Sequence, residues 1–305
     1  MRRALLVMVI AGLGSSAAAV FWAGDFLTKP ARVSTGVPDP TLHARMLTFD
    51  SVSGVKLSAW FVPGAPGSGA ILLLHSIRSN KRAMLPRAQF LSALGFSILL
   101  VDLQAHGESE GERISFGYRE AADVHASVEK LRELAPGERV GALGTSLGAA
   151  SLLLSDVQPL LAAVVLESLY PTIEEAVGNR LSIYFGPMGR WLSPLLLTQL
   201  SPRLGVMPAQ LHPIEHVPSL RCPVLIVHGT KDRHTTIQEA QRLFAAAPEP
   251  KEFYSLTGAA HVDLHAFGGK EYERRIGDFF THHLRSAGYQ WHAGDRLQPR
   301  LMPGR

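Results

Sequence analysis

Short, unbroken apolar runs recur along this chain and are separated by longer helical patterns. Three of them read AILLLH from residue 70, SILLVD from residue 97 and PVLIVH from residue 223. A strand in which every side chain is apolar is typical of a parallel sheet that is covered by helices on both faces. The sequence therefore predicts an α/β fold with a mostly parallel sheet and helices on both faces.

The pattern also gives approximate bounds for the elements. An antiparallel hairpin over 46–52 and 57–62 is expected to precede the alternation. The other predicted strands are 70–74, 96–102, a strand ending near 143, 162–166, 224–228 and 253–256, and the predicted helices are 80–94, 118–134, 147–154, 237–247 and 271–284.

One strand and helix in this series enclose a Gly-x-Ser-x-Gly turn. Residues 139–155 read RVGALGTSLGAASLLLS, with Gly144 and Gly148 two positions either side of Ser146. A sharp strand-to-helix turn raises a serine hydroxyl above the sheet, and only glycine at the flanking positions leaves room for that backbone. Ser146 is therefore the candidate nucleophile, and the alternative is a helix N-terminus with packing glycines.

The same pattern occurs a second time, at Gly107, Ser109 and Gly111. Ser109 has no strand before it and no helical pattern after it, and it lies between Glu108 and Glu110, whose charge opposes an alkoxide. We therefore interpret this second match as a loop.

A serine nucleophile needs a base, and the base needs an orienting group. Asp232 follows the strand that ends at His228, and His261 follows the last strand after a Gly-Ala-Ala turn. Loops beyond the carboxyl ends of parallel strands converge, so these two residues are the candidate acid and base. Alternatives remain: Asp232 as a helix cap, Asp156 or Asp278 as the acid, and His265, His282 or His283 as the base.

A metal ligand is an alternative role for His261, because His261, Asp263 and His265 occupy every second position of the sequence. No third ligand cluster accompanies them, so we predict neither a metal nor a cofactor.

Acyl chemistry instead requires amide donors for an oxyanion. The amide of Leu147, at the start of the elbow helix, is one candidate, and the loop after His75 offers those of Ser76 and Ile77.

An irregular insertion, about 171–218, interrupts the alternation and predicts a small helical cap. It carries many prolines together with Tyr184, Phe185, Trp191 and residues 195–197. These apolar side chains either line a pocket for a hydrophobic group or pack the cap onto the body.

The N-terminus predicts a membrane segment. Arg2 and Arg3 precede an uncharged run over residues 4–24, which is long enough to cross a bilayer. We interpret 1–27 as a signal anchor that places the body on the non-cytoplasmic side of the membrane. The alternative is a signal peptide that is cleaved, after which the body is exported. A buried core helix is a further alternative, although the run has no polar face.

The rest of the chain divides more simply. Residues 28–41, rich in proline, predict a linker, 42–286 a single domain, and 287–305 a flexible tail. The formal charge of +4 comes from dispersed Lys and Arg, which does not indicate nucleic-acid binding. The single cysteine, Cys222, excludes an intrachain disulfide and is expected to be a core thiol.

Five motifs together resemble the α/β-hydrolase superfamily: HS at 75–76, DLQAHGESEG at 102–111, GTSLG at 144–148, HGTKD at 228–232 and GAAH at 258–261. The chain is most similar to the serine aminopeptidase-like, monoglyceride-lipase-like branch and to membrane-anchored hydrolases of the BEM46 type. The resemblance covers about residues 45–285, and one departure is His75-Ser76 where many relatives have His-Gly.

This resemblance implies a serine hydrolase that acts on a small-molecule acyl substrate. It implies Ser146 as nucleophile, Asp232 as acid and His261 as base, with the amides of Ile77 and Leu147 as the oxyanion hole. The competing hypotheses are a non-catalytic scaffold that binds a lipid or partner at the membrane, and acyl transfer to an acceptor other than water.

Overall fold

A twisted sheet forms the centre of the computed structural model, which describes residue 18 and residues 20–285. Within these residues the main sheet has eight strands in the order β10-β9-β8-β7-β4-β5-β3-β2. Only β2 and β3 run antiparallel to their neighbours, which confirms the predicted leading hairpin. The strands of this sheet are β2 Arg45–Asp50, β3 Lys56–Val62, β4 Ala70–Leu74, β5 Ser97–Val101, β7 Val140–Thr145, β8 Ala163–Glu167, β9 Val224–Gly229 and β10 Lys251–Leu256. A separate pair consists of β1 Ala31–Arg32 and β6 His106–Gly107.

Helices cover both faces of the sheet, as predicted. The helices are α1 (20–28), α2 Leu85–Ala93, α3 Glu120–Leu134, α4 Leu147–Leu154, α5 Ile173–Phe185, α6 Gly189–Leu197, α7 Leu200–Leu204, α8 Pro213–His216, α9 Ile237–Ala246 and α10 Leu264–Leu284. Alternate side chains of each strand point to opposite faces. In β4, Leu72 belongs to the core beneath α3 and α4, whereas Ile71 and Leu73 belong to the core beneath α2 and α10. This two-sided burial explains the unbroken apolar runs.

The sheet order places the candidate residues together at the carboxyl ends of the parallel strands. Strands β4, β7, β8, β9 and β10 are parallel, so the loops after them leave the sheet on the same side. Ser76, Ser146, Asp232 and His261 lie in or directly after the loops that follow β4, β7, β9 and β10. Topology alone therefore brings residues distant in sequence into one region.

The last helix begins earlier than predicted. We expected it to start at residue 271, but α10 starts at Leu264 because Asp263 accepts hydrogen bonds from the amides of His265 and Ala266. Gly269, at φ +52°, then interrupts the helical backbone. The two glycines at 268 and 269 concealed this first turn in the sequence.

The segment interpreted as a linker lies against the body. Ala31–Arg32 pair in parallel with His106–Gly107, and the amide of Thr35 donates to Glu108 at 2.9 Å. The predicted anchor at residues 4–24 falls largely outside the described residues, as does the predicted tail at 287–305. Over the residues described, no helix combines the length and the apolar character that crossing a bilayer requires.

The insertion after β8 forms a helical cap made of α5, α6, α7 and α8. Its own small core consists of Ile173, Leu197, Leu200, Leu204, Val206 and Leu211. Of the apolar residues expected to line a pocket or to pack the cap, only Leu197 is buried, whereas Tyr184 and Trp191 are 79% and 83% exposed. Most of the large apolar residues that the sequence singled out in the cap therefore face outwards.

Candidate active site

Ser146 lies between β7 and α4 in a conformation that few residues adopt. Its φ of 50° and ψ of −102° are typical of a sharp strand-to-helix turn. A Cβ at Gly144 would lie 2.5 Å from the amide nitrogen of Ala149, and one at Gly148 would lie 2.5 Å from the carbonyl oxygen of Leu74. The two glycines are therefore required for the turn, as the sequence predicted from their spacing.

The backbone around Ser146 is held firmly. Its amide donates to the carbonyl of Glu167 at 2.8 Å, and its carbonyl accepts from the amide of Ala150 at 2.9 Å. Within the described residues its hydroxyl makes no hydrogen bond to His261, a contact that is commonly long in unliganded hydrolases. The backbone at Ser146 is therefore fixed by hydrogen bonds at its amide and its carbonyl.

Asp232 and His261 form a hydrogen-bonded pair. Oδ2 of Asp232 lies 2.7 Å from Nδ1 of His261, and Oδ1 accepts from the amides of His234 and Thr235 at 2.8 and 3.0 Å. Burial alone would raise the pKa of Asp232, but the hydrogen bond from His261 and the neighbouring amides outweigh it and lower that pKa. An ionised Asp232 thus orients the ring and leaves Nε2 free.

Asp232 does not cap α9, the alternative role that the sequence left open, because its Oδ1 accepts from the amides of His234 and Thr235 in the turn before that helix. The cap of α9 itself is Thr236, whose hydroxyl accepts from the amide of Glu239. Asp278, the rival acid, is exposed on α10 beside Arg274.

The rival histidines have other contacts. His265 pairs with Glu273 at 3.0 Å, while His282 and His283 lie in the last turn of α10 and contact each other. The Asp263 carboxylate bonds to Arg87 and to backbone amides rather than to a histidine side chain. Among the described residues no group of His, Cys, Asp and Glu side chains is arranged to hold a metal.

The amides of Leu147 and Ile77, the oxyanion candidates, lie at the start of α4 and in the loop after β4. Leu147 is the first residue of that helix, so its amide has no acceptor within the helix, and the amide of Ile77 donates to no acceptor in the part of the chain that the structure describes. The amide of Gly148 donates to the carbonyl of His75 at 3.1 Å, which ties the loop after β4 to the elbow. The sequence-based candidates are thus joined through this hydrogen bond.

His75 fixes the path of that loop. Its Nε2 accepts from the amide of Leu103 at 3.1 Å, so Nδ1 carries the proton and donates to the carbonyl of Ser76 at 2.7 Å. Complete burial lowers the pKa of His75 to about 3, which keeps the ring neutral. A neutral His75 therefore holds the backbone at Ser76.

A cavity of about 280 Å³ opens beside these residues. Its walls include Ser76, Thr145, Ser168 and His261, so it joins the oxyanion loop, the elbow and the candidate base. A larger cavity of about 610 Å³ lies in the cap, between α5, α6 and Glu239, and contains none of the three candidate catalytic residues. The smaller cavity is therefore the one that adjoins the elbow, through Thr145, and the candidate base, His261.

Sequence reasoning missed His234, whose ring stacks on that of His261. The ring centroids are 4.8 Å apart and the planes differ by 7°. Burial, followed by the neighbouring His261 and Arg180, lowers the pKa of His234, which favours an uncharged ring. Its position two residues after Asp232 was the only available signal, and it does not reveal a stacking partner on another loop.

A buried ionic network beneath the cavity was also missed. Nη2 of Arg87 lies 2.8 Å from both Glu167 and Asp263, and the Tyr272 hydroxyl donates to Glu167. Burial alone would lower the pKa of Arg87, but these carboxylates raise it. The network joins α2, the end of β8 and the loop that carries His261, so it fixes the distance between them.

Ser109, the serine of the second Gly-x-Ser-x-Gly match, has a structural role. It is fully buried, donates to the carbonyl of Asp102 at 2.6 Å and accepts from the amide of Ser58 at 2.8 Å. Nearby, Asp102 and Glu108 are paired with the buried Lys81. Ser109 therefore belongs to the core of a loop, which agrees with the interpretation of that match.

Comparison with known proteins gives the same architecture. Residues 61–274 match the model of a family described as the alpha/beta hydrolase family. The uncharacterized protein Rv2307c of Mycobacterium tuberculosis is 30% identical over 244 residues, which cover 78% of this chain and 79% of that protein. The uncharacterized protein YfhR of Salmonella typhi is 26% identical over 253 residues, or 76% and 78% of the two chains.

Among solved structures, the Pyrococcus furiosus esterase Pf2001 superposes with a TM-score of 0.71. The alignment covers 85% of this chain and 98% of the esterase at 23% identity. At this identity the likeness establishes a shared fold, and it does not by itself carry over a substrate.

Proposed function

Because this chain belongs to the alpha/beta hydrolase family, we propose that it is a serine hydrolase that cleaves an ester or a related acyl substrate. The observation that supports this most strongly is the hydrogen bond of 2.7 Å between Asp232 and His261 at the edge of the sheet where the Ser146 elbow also lies. The resemblance to the monoglyceride-lipase-like branch agrees with an acyl substrate.

In the proposed reaction, His261 takes the proton of the Ser146 hydroxyl through Nε2 while its Nδ1–H donates to Asp232. The Ser146 oxygen forms a bond to the substrate carbonyl carbon, and the amides of Ile77 and Leu147 donate to the resulting oxyanion. The C–O bond to the leaving group then breaks, and His261 gives that group the proton.

Water completes the cycle. His261 removes a proton from the water molecule as its oxygen attacks the acyl-enzyme carbonyl, and the proton returns to Ser146 when the acid leaves. Asp232 stays ionised throughout and stabilises the imidazolium that forms at each step. No metal or cofactor is needed in this scheme.

Turnover of a panel of short and long acyl esters, amides and thioesters tests the proposal. Replacement Ser146→Ala should lower kcat by about four to six orders of magnitude on the best substrate. The matched control is Ser109→Ala, which alters the other Gly-x-Ser-x-Gly serine and should keep turnover near that of the parent in its folded fraction. Near-normal hydrolysis by Ser146→Ala would exclude this assignment.

We also propose that residues 4–24 anchor the chain in a membrane, with the body on the non-cytoplasmic side. The support is the uncharged run that follows Arg2 and Arg3. Recovery of the intact chain in carbonate-washed membranes is the expected result. A soluble product that begins near residue 20 would instead indicate signal cleavage and export.

A further inference from the structure

The cap has an unusual helix, α6, whose large apolar side chains point away from the protein. Met188, directly before the helix, and Trp191, Leu192 and Leu195 on it follow the three- or four-residue spacing of one helix face, and they are 74%, 83%, 39% and 52% exposed. A surface helix normally turns such a stripe towards the core. The outward stripe therefore needs a partner outside the described body.

The inner face of α6 explains this orientation. Gly189 and Ser193 are buried there, and a Cβ added to Gly189 would lie 2.3 Å from the carbonyl carbon of Leu181. Small residues allow α6 to approach α5 closely, so the bulky residues are left on the outside. The exposure is thus built into the packing of the two helices.

Helix α1, beside the cap, likewise has a small residue on its buried side and large apolar residues on its exposed side. Gly24 is buried where a Cβ would lie 2.4 Å from Oε1 of Gln199, whereas Phe21 and Trp22 are 58% and 69% exposed. Gln199 and Arg203 donate to the carbonyls of Val20 and Phe21 at 2.8 and 2.7 Å. The C-terminal end of the apolar run over residues 4–24 is therefore hydrogen-bonded to the cap.

The charges near this face suit an anionic surface. From residue 176 to residue 214 the chain carries no Asp or Glu, and Arg190 in this stretch is exposed. The adjacent carboxylates are already paired, Asp25 with Arg113 and Arg203, and Glu175 with Arg242. Exposed tryptophan and tyrosine are typical of the interface between a membrane and water.

We propose that the outward face of α6, together with the exposed side of α1, docks the cap onto an anionic lipid bilayer. This inference rests on the proposed membrane position of residues 4–24 but not on catalysis. The apolar run ends at the cap, so the bilayer surface lies within reach of α6.

Helix α1 also contacts the loop after β4. Arg78, which follows Ile77 in that loop, donates to the carbonyl of Phe26 at 3.0 Å, and its guanidinium lies 4.8 Å from the centroid of the Phe26 ring. Helix α1 therefore contacts both the cap and the loop that carries the candidate oxyanion amide.

A fluorescent label on the full chain tests this surface. Cys222 is first replaced by alanine, and a single cysteine is then introduced as Met188→Cys or, as the control, as Glu133→Cys on α3 at the opposite edge of the sheet. Each protein carries an NBD label and is mixed with vesicles of phosphatidylcholine and phosphatidylglycerol, some containing brominated acyl chains.

At residue 188 the label should shift to shorter wavelength and lose most of its emission to brominated lipid, whereas the label at residue 133 should keep a water-like spectrum. Equal, water-like spectra on chains that float with the vesicles would overturn the inference, as would chains that do not float. A shift at residue 188 without quenching would also overturn it, since a protein partner such as a second copy would then cover the face.

The same samples separate this inference from the proposed activity. Ester hydrolysis is measured on each vesicle preparation, and the label experiment is repeated with Ser146→Ala. The spectra should be unchanged by that replacement, so a catalytically inactive protein would still report whether α6 meets the lipid.

Discussion

Oδ2 of Asp232 lies 2.7 Å from Nδ1 of His261, although 29 residues separate them and they follow different strands. The parallel pairing of β9 and β10 brings the two loops side by side. Because the amides of His234 and Thr235 hold the other oxygen of Asp232, the carboxylate has little freedom. The pair is therefore positioned before any substrate binds.

Replacement of Asp232 should remove this orientation. In Asp232→Asn the carboxamide cannot stabilise an imidazolium, so kcat should fall by about four orders of magnitude. Steady-state kinetics on the best substrate measures the change. Asp278→Asn, on the exposed side of α10, is the matched control and should behave as the parent does. A loss of only a few-fold in Asp232→Asn would contradict the role assigned to the pair.

The stacked ring of His234 should position His261 rather than react. Loss of a stacked aromatic pair corresponds to about 1 kcal/mol, so His234→Ala should lower kcat roughly fivefold and leave KM nearly unchanged. His234→Phe keeps a planar ring and should restore most of kcat. If alanine and phenylalanine give the same kcat, stacking does not contribute to catalysis.

The buried ion pair between Arg87 and Glu167 should matter for stability. Arg87→Met leaves Glu167 buried without its cation, so the free energy of unfolding in urea should fall by about 3–5 kcal/mol. Arg242→Met removes a solvent-exposed partner of Glu175 and should cost less than about 1 kcal/mol. Similar losses of unfolding free energy in the two variants would show that burial does not increase the contribution of the Arg87 pair to stability.

The cap contains a pH-sensitive contact at His212. Its ring lies 2.8 Å from Glu174 and 2.9 Å from Glu215. Burial would lower the pKa of His212, but the hydrogen bonds to Glu215 and Glu174 outweigh it and raise that pKa. A raised pKa in the folded state gives stability that is present below the unfolded value and is lost as the pH rises through the folded value.

The expected consequence is a modest change in melting temperature. Since the contact is partly exposed, its contribution should stay below about 1 kcal/mol, or about 2 °C for a chain of this size. Between about pH 6 and about pH 8, Tm of the parent should fall relative to that of His212→Gln. His216→Gln, at an exposed neighbouring position, should follow the parent, and identical pH profiles for parent and His212→Gln would disprove the contact's role.

Much of the fold could be predicted because its signals are local. The runs at β4, β5 and β9 are buried on both faces, and this requirement is visible in each run by itself. The glycines around Ser146 are likewise fixed by a turn only a few residues long. The predicted start of α10 was wrong because Gly268 and Gly269, which follow the N-cap residue Asp263, suggested a loop.

The remaining features depend on contacts between distant segments. The stacking of His234 on His261 and the pairing of Arg87 with Glu167 require the relative placement of separate loops and helices. The outward direction of Trp191 depends on how closely Gly189 approaches α5. No spacing rule within the sequence carries that information.

Covalent labelling by a fluorophosphonate, followed by peptide mass spectrometry, tests the central claim most directly. The probe reacts with a serine only where a base activates it and an oxyanion site stabilises the adduct. We expect one adduct, on Ser146, which is absent from Ser146→Ala and forms much more slowly in Asp232→Asn. Folded protein that remains unlabelled at Ser146, or that is labelled equally at Ser109, would contradict it.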